Sequence, residues 1–343
     1  MKRLKPAAVV MAALAAASVL AGCGRKENGA VDDGSTAERT LAAINTVRFS
    51  TTAVGSVGPR GYAPAIVKLQ VLLDRARFSP GAIDGRLSLN TQAAIRAYER
   101  ANGMTVDGVV DRELWNRLVG ADQRPAVNTY VIDPADVAGP FTPHIPDSFQ
   151  GMSRLTSLGY RTPAEALAES FHMDVDLLRA LNPGADFERP GTVIVVAERG
   201  ADDLGVDVAL VEVERAASQV RAYGADQRLL AAYPATIGST KSPAPTGTTQ
   251  VRSVEPNPNY RYETDKVSFG QGLGHAPFEI APGPNNPVGS VWIEVRLNEY
   301  GIHGTPEPSD VGKPVNQGGI RLTNWDAREL ARGVREGTPV VFR

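Results

Sequence analysis

One histidine and one arginine near the C-terminal end of the chain stand in contexts that could support chemistry. His303 belongs to an Ile-His-Gly-Thr segment that reads as the end of a strand, and Arg321 follows 18 residues later. An imidazole is the side chain most often used as a general base, and the arginine fork suits a carboxylate. Gly318 and Gly319 precede the arginine and can present backbone N–H groups to a ligand. The set contains no thiol, because Cys23 is the only cysteine in the chain.

These two segments resemble the catalytic motifs of the L,D-transpeptidase (YkuD-type) family, whose pattern is IHGT followed by SHGC(I/V)R. In this chain the first motif is intact, whereas the second reads NQGGIR. The family serine corresponds to Asn316, its histidine to Gln317, its glycine to Gly318, its cysteine to Gly319 and its arginine to Arg321. Three of the six positions of the second motif are therefore changed, and the nucleophile is one of them.

The resemblance implies an acyl-transfer site. In the family a cysteine thiolate attacks the bond between diaminopimelate and D-alanine of a tetrapeptide stem, and the amine of a second stem captures the acyl-enzyme to give a 3-3 cross-link. It implies His303 as the base, here vestigial, and Gly319 as the vacant nucleophile position. It also implies binding roles for Gly304, Gly318 and Arg321. A salt bridge between loop and sheet is an equally good interpretation of the arginine.

The N-terminus has the three-part form of a secretory signal, with basic residues first and an apolar run after them. Residues 1–22 are predicted to form this signal peptide. The run ends in Leu-Ala-Gly-Cys, which matches the bacterial lipobox and predicts lipidation of Cys23. Gly24 follows rather than aspartate, which predicts the periplasmic side of the outer membrane of a Gram-negative envelope. The alternative is an ordinary signal peptide with an incidental cysteine.

Charge and cysteine content exclude several classes of function. Loss of residues 1–22 removes three basic residues, which leaves 33 Lys and Arg against 38 Asp and Glu, a net charge of −5. This charge offers no basic surface for nucleic acid. With Cys23 lipidated, no thiolate metal site or redox pair remains, and no pair of histidines has a metal-ligand spacing. The sequence therefore predicts neither a metal nor a cofactor.

Two Asp-Gly turns mark a small helical module over residues 61–120. Asp84-Gly85 and Asp107-Gly108 each precede a helix-like segment, and the second segment contains a Leu-Trp pair. Asp-Gly is common turn chemistry on its own, but the repeat resembles the peptidoglycan-binding type 1 domain. Residues 23–60 before it are small and polar and predict a lipidated tether with at most one short helix, near 36–47.

Residues 121–200 are predicted to form a Pro-rich linker followed by a small α/β module. Thr162-Pro163 suits the start of a helix over 164–171, a second helix is predicted at 175–181, and a strand at 191–196. The segment Leu181-Asn182-Pro183 and the strand resemble the second half of a LysM module, which would bind glycan. A packing unit that only spaces its neighbours is the alternative.

The remainder, residues 205–343, is predicted to be β-rich with one clear helix at 327–334, and the L,D-transpeptidase resemblance covers it. The expected fold class is therefore multidomain α+β. It combines a small helical peptidoglycan-binding module, a LysM-like α/β module and a C-terminal β-rich L,D-transpeptidase-like domain.

Two functional hypotheses follow. The first is a cell-wall lipoprotein that binds the tetrapeptide stems and glycan of peptidoglycan without catalysis. Such a pseudoenzyme would tether envelope to wall, compete for stems or regulate an active cell-wall enzyme, and its lipid would contact the membrane. The alternative is an active L,D-transpeptidase that forms 3-3 cross-links through a substitute nucleophile, or whose Gly319 is a knock-out.

Overall fold

The computed structural model describes most of the chain after the predicted signal peptide. Its contacts divide the chain into two compact units, Met1–Asp33 and Gly34–Arg343. The predictions for the signal peptide and for Cys23 lie outside the described residues. Within those residues, no helix combines the length and the apolar character that crossing a membrane requires. The described residues are 33–238, 243–262, 277–297, 300–313 and 318–343.

Most helices begin with a polar residue that caps exposed backbone N–H groups. Ser88, Asp111 and Thr162 each accept such a bond at the start of a helix. The helices are α1 (Asp33–Asn45), α2 (Thr51–Gly55), α3 (Pro64–Arg75), α4 (Leu89–Ala101), α5 (Arg112–Ala121), α6 (Phe149–Met152), α7 (Pro163–Ser170), α8 (Val175–Leu181) and α9 (Asn324–Gly333), with 3₁₀ turns at Pro134–Val137 and Pro308–Asp310.

The strands concentrate in the last third of the chain. They are β1 (Val127–Val131), β2 (Val193–Ala197), β3 (Leu210–Glu214), β4 (Gln219–Tyr223), β5 (Leu229–Pro234), β6 (Thr236–Ile237), β7 (Gly247–Pro256), β8 (Tyr260–Tyr262), β9 (Phe278–Ile280), β10 (Val291–Val295), β11 (Gly301–His303), β12 (Ile320–Arg321) and β13 (Pro339–Phe342).

Helices α3, α4 and α5 pack into the predicted helical module, and two equivalent polar contacts fix its turns. Gln70 is fully buried and accepts a 2.8 Å hydrogen bond from the N–H of Gly85 in the first Asp-Gly turn. Glu99 plays the same part for the second turn, where its carboxylate accepts from the N–H groups of Asp107 and Gly108 at 3.0 and 2.9 Å. Burial raises the pKa of Glu99, an effect that these two bonds oppose.

The segment predicted as a tether is packed in its second half. Helix α1 buries Ile44 completely, and the Asn45 side chain bonds the backbone of Ala126 and Val127 at the start of β1. Residues 23–32 of the predicted tether lie outside the described residues. The segment consists mainly of small and polar residues. Burial of the apolar side chain of Ile44 in a core is nevertheless enough to pack helix α1 against the rest of the structure.

The predicted Pro-rich linker also contains an element that the sequence analysis missed. β1 pairs with β2 in antiparallel register, from Val127 opposite Ala197 to Val131 opposite Val193. Helices α7 and α8 pack with this pair, and buried Asn182 bonds both Leu178 and Val195. Residues 127–197 therefore include a closed unit of two strands and two helices.

The C-terminal domain is built on one sheet whose two edge strands follow each other in the chain. In the described residues the strand order is β5-β4-β3-β13-β7-β10-β11-β12-β6. The edge strands β5 and β6 are separated in the chain by Ala235 alone, so the two edges are adjacent. Helix α9 packs Leu330 into the core of this sheet. It begins three residues before the predicted start because Thr323 caps it. The predicted multidomain α+β architecture, with a helical module and a β-rich C-terminal domain, is confirmed.

The modules contact one another through buried polar groups. Ser79, after α3, donates to the Asp326 carboxylate of α9 at 2.9 Å. The side chain of Asn90, in α4, donates to the carbonyl of Val311 at 2.8 Å. Helix α3 also meets the segment after α7, where Asp74 and His172 form an ion pair at 3.0 Å. Because these groups are partly or fully buried, loss of one group would leave the other without its hydrogen-bond partner and would destabilise the contact between the modules.

Candidate functional site

The two motif segments meet because β11 and β12 are neighbouring parallel strands. Ile302 lies opposite Ile320, and His303 lies opposite Arg321. The residue before β12, Gly319, is thereby placed beside the histidine at the end of β11. The structure brings together His303, Gly319 and Arg321 as the sequence analysis expected. Asn316 and Gln317 lie outside the described residues.

Gly319 occupies a position from which a side chain would point at the histidine. A Cβ atom built on its backbone would lie 2.9 Å from His303 Nε2 and 3.4 Å from Cδ2. Its φ of +94° is a conformation that residues with a side chain rarely adopt. Its carbonyl accepts hydrogen bonds from the N–H of Gly238 at 2.9 Å and from the Tyr300 hydroxyl at 3.2 Å. The backbone is therefore fixed in a conformation that suits glycine.

His303 is buried, with 4% of its surface exposed. Its Nδ1 lies 2.7 Å from the Gly304 carbonyl, which can only accept, so Nδ1 carries the proton and Nε2 faces Gly319 unprotonated. The ring stacks on Trp292 with centroids 5.4 Å apart. Burial lowers the pKa of His303 to about 3, and the positive charge of Arg321 contributes to that shift. The imidazole is therefore neutral at physiological pH, the state that a general base requires.

Arg321 is partly buried beside this histidine. Burial lowers the pKa of its guanidinium, and the negative charge of Asp310 opposes that effect. Asp310 belongs to the 3₁₀ turn between β11 and β12. An acidic group of the same connection therefore lies close enough to stabilise the positive charge of Arg321. The loop-to-sheet interpretation and the ligand-carboxylate interpretation of this arginine therefore both stay predictions.

Gly304 has a packing reason to be glycine. A Cβ atom there would lie 2.1 Å from Asn324 Oδ1. Asn324 is fully buried at the start of α9, where Oδ1 accepts from the N–H of Ser290 and Nδ2 donates to the Glu169 carboxylate. The binding role predicted for Gly304 stays a prediction beside this structural one. Sequence reasoning missed Asn324 and Trp292, because only contacts between distant segments reveal them.

Two threonine hydroxyls near the motifs accept backbone hydrogen bonds. Thr305 accepts from the N–H of Glu307 at 3.2 Å, and Thr323 caps α9 by accepting from the N–H of Asp326 at 3.1 Å. Among the described residues no group of three or more His, Cys, Asp or Glu side chains could hold a metal ion. The described part of the site therefore contains a neutral imidazole, a guanidinium, glycine backbone and the Tyr300 hydroxyl, which donates to the Gly319 carbonyl.

Two family models match the chain. Residues 209–342 match the model described as "L,D-transpeptidase catalytic domain", and residues 62–118 match the "Putative peptidoglycan binding domain". The predicted resemblance to these two families is confirmed.

Individual proteins with L,D-transpeptidase in their names are also similar to parts of this chain. "Putative L,D-transpeptidase YkuD" of Bacillus licheniformis is 28% identical over 179 residues, which cover 51% of this chain and 90% of that protein. "Probable L,D-transpeptidase ErfK/SrfK" of Escherichia coli K12 is 32% identical over 188 residues, 52% of this chain and 58% of that protein. The solved L,D-transpeptidase of Xylanimonas cellulosilytica is 16% identical, covers 84% of this chain and 95% of that one, and has a TM-score of 0.33.

The chain thus spans nine tenths of one of these relatives and little more than half of the other. The motif strands β11 and β12 fall inside the residues that match the first model, and helices α3 to α5 correspond to those that match the second. The protein therefore joins a domain of the YkuD-type L,D-transpeptidase family to a peptidoglycan-binding domain.

Proposed function

We propose that this protein is a peptidoglycan-binding lipoprotein whose L,D-transpeptidase-type domain binds wall peptide without catalysing its transfer. The observation that carries the proposal is Gly319. A Cβ at this residue would point at the unprotonated Nε2 of His303 from 2.9 Å, yet glycine has no side chain. The base is present, and the atom that it would activate is missing.

Acyl transfer needs a nucleophile, and the described site offers no replacement in its place. Loss of a nucleophile from a comparable catalytic set costs on the order of 10⁶ in rate. Thr305 and Thr323 use their hydroxyl oxygens to accept backbone hydrogen bonds. With Cys23 as the only cysteine, no second thiol can enter the pocket from elsewhere in the chain. Binding is the part of the family function that these residues can still perform.

Three features support binding to peptidoglycan. The helical module matches a peptidoglycan-binding family model. The transpeptidase-type pocket keeps Arg321, which suits a stem carboxylate, and glycine backbone near it. The unit around β1 and β2, which we propose to be LysM-like, would add a glycan contact. A protein with these parts would hold stems, compete for them or position an active cell-wall enzyme.

The N-terminal sequence supports the proposed location. The signal-like residues 1–22 and the lipobox at Cys23 would place the folded part on the periplasmic side of the outer membrane through a lipid anchor. Metabolic labelling with a radioactive fatty acid tests this step. We expect the wild-type protein to be labelled and to fractionate with the outer membrane, and Cys23→Ser to be unlabelled and absent from that fraction.

The decisive test combines turnover and binding. Full-length protein in detergent is incubated with tetrapeptide-rich muropeptides, and the products are analysed by mass spectrometry beside an active cysteine-bearing relative. We expect neither 3-3 dimers nor released D-alanine, together with co-sedimentation of the protein with purified sacculi. Either product would favour the alternative, an active L,D-transpeptidase. Failure to sediment with sacculi would contradict the binding function.

A further inference from the structure

A cleft of about 510 Å³ lies between the three modules of the described structure, and its lining does not include His303, Gly319 or Arg321. The first wall consists of residues 60–62, before α3, and of residues between 80 and 90, which lead into α4. The second wall is helix α8 with Asp174 before it, and the third is the connection between β11 and β12. Its volume falls within the range typical of small-molecule and peptide sites. Nothing in the motif chemistry described above uses this space.

The third wall connects the cleft to the transpeptidase-type site. Lys313, on this wall, lies six residues before Gly319 in the same connection. The wall is fixed against α4, because Asn90 donates to the Val311 carbonyl at 2.8 Å. Gly312, with φ +82°, is packed so closely that a Cβ there would lie 2.2 Å from Asn90 Oδ1. The helical module therefore fixes the described part of this connection at Val311 and Gly312.

Charged groups of both signs face the cleft. Arg60 and Arg86 are exposed on the first wall, and Lys313 is on the third, where it forms a 3.0 Å ion pair with Asp310. Asp176 is exposed on α8, and Asp174 accepts from the N–H groups that begin that helix. Guanidinium groups suit carboxylates, and carboxylates suit an ammonium group. The lining thus fits a ligand that carries both kinds of charge.

We propose that this cleft binds the peptide stem of peptidoglycan, by its free amine and its carboxylates, at a site separate from the Gly319 pocket. The inference rests on the proposed wall-binding function and names the part of the wall that is bound. A stem with diaminopimelate carries an amine and carboxylates close together, whereas the sugar rings offer mainly hydroxyl groups. The aromatic residue that lines the cleft, Tyr62, is only 8% exposed and offers little surface for stacking on a sugar.

Isothermal titration of the full-length protein with free tetrapeptide stem and, separately, with stem-free glycan tests the proposal. The double variant Arg86→Gln and Asp176→Asn removes one charge of each sign while keeping a polar side chain at both positions. Loss of two charge-assisted contacts predicts at least a tenfold weaker Kd for the tetrapeptide, with glycan binding unchanged. Ser309→Trp, at an exposed position of the third wall, should weaken tetrapeptide binding by filling the space.

The matched control is Asp226→Asn with Arg228→Gln, a pair of exposed charges on the β4–β5 turn. It should leave the Kd within about twofold, and thermal unfolding checks that each variant is folded. Unchanged tetrapeptide binding in both cleft variants, or loss of glycan binding instead, would overturn the proposal. So would wild-type protein that sediments with sacculi but does not bind the tetrapeptide. Absence of sacculus binding would instead refute the wall-binding function.

Discussion

Two buried histidines of this protein have nearly the same packing, but one is positively charged at neutral pH and the other is uncharged. His303, at the motif site, is 4% exposed and stacks on Trp292 with centroids 5.4 Å apart and planes 22° apart. His172, where α3, α7 and α9 meet, is 6% exposed and stacks on Trp325 at 5.1 Å and 9°. Burial alone disfavours the charged imidazolium at both places.

The neighbours of the two rings decide their charge. Burial lowers the pKa of His172, but the carboxylates of Asp74 and Asp202 outweigh it and raise the pKa to about 9. Asp74 lies 3.0 Å from Nδ1. His303 has a backbone carbonyl instead of a carboxylate, together with a positive neighbour in Arg321, and its pKa is about 3. The first ring is a structural cation between modules, and the second is a neutral imidazole.

The comparison shows that burial and stacking do not identify the role of a histidine. A carboxylate within hydrogen-bond distance turns the ring into part of an ion pair, whereas a carbonyl acceptor and a nearby guanidinium keep it neutral. Substitutions of the two rings and of residues beside them test this explanation.

The largest effect is expected from removal of the carboxylate at the module junction. Asp74→Asn would leave the His172 imidazolium buried without its closest counter-ion, which costs about 3–5 kcal/mol in the free energy of unfolding. Urea unfolding at pH 7 measures it. Asp226→Asn, at an exposed carboxylate, is the control and should change stability by less than about 0.5 kcal/mol. A loss below about 1 kcal/mol for Asp74→Asn would show that the pair does not hold the junction.

The second prediction concerns the pH dependence of the same junction. Because the pKa of His172 is raised in the folded state, its contribution is complete below about pH 6.5 and is lost as the pH rises through about 9. His172→Asn, which tolerates the residue's φ of +56°, removes the titrating ring. The difference in melting temperature between wild type and variant should be largest near pH 6 and shrink toward pH 10.

Two neighbouring carboxyl groups also titrate, and they determine which pH range reports on His172 alone. Burial raises the pKa of Asp326 and of Glu329 to about 7. Both have lost their protons by about pH 8, so the change between pH 8 and pH 10 reports on His172. A stability difference that stays constant over this range would contradict the assignment of a charged ring.

A smaller effect is expected when a side chain is restored at the motif site. Gly319→Cys would require a residue with a side chain at φ +94° and a Cβ 2.9 Å from His303 Nε2, at a cost of about 1–3 kcal/mol. We expect a lower melting temperature and no transpeptidation from this single change, because the backbone must shift before the thiol can lie correctly. Mass spectrometry of muropeptides checks activity.

The comparison for that variant is the triple change with Asn316→Ser and Gln317→His. Formation of 3-3 dimers by Gly319→Cys alone would show that the loop accepts the thiol without rearrangement. That result would favour recent loss of the nucleophile over a pocket adapted to glycine.

The smallest effect at neutral pH is expected for the base. His303→Gln removes one hydrogen bond to the Gly304 carbonyl and should cost about 1 kcal/mol at pH 7. The folded state keeps this ring neutral down to about pH 3, whereas the unfolded chain protonates it below about pH 6.5, so this residue makes wild type lose stability as the pH falls. The melting temperatures of wild type and His303→Gln should therefore lie closer together at pH 5 than at pH 7, or cross. The same difference at both pH values would show that the ring is not neutral in the folded state.

Much of the fold was predictable where local patterns are strong. Helix α8 spans Val175–Leu181 as predicted, and α7 begins at Pro163 after its Thr162 cap. Strand β1 was missed because most of its residues are exposed and prolines surround it, so its sequence lacks an apolar alternation. The docking of α1 was missed for a related reason, since Ile44 becomes buried only against residues far along the chain.

The candidate site divides in the same way. Resemblance of two short motifs predicted that His303, Gly319 and Arg321 lie together, and parallel pairing of β11 with β12 brings them together. The stacking of Trp292 and the buried hydrogen bonds of Asn324 could not be predicted, because they join segments that are distant in sequence. The cleft is of this kind too, since its walls come from three modules.

By itself the sequence determined which thiols the chain holds: it contains one cysteine, at position 23, and a glycine at position 319. Covalent composition does not depend on folding, so the absence of a second thiol is settled before the chain folds. Tertiary structure alone decided the charge of the two histidines and the existence of the cleft. Both depend on which groups lie within a few ångströms, and electrostatic and packing energies change steeply over that distance.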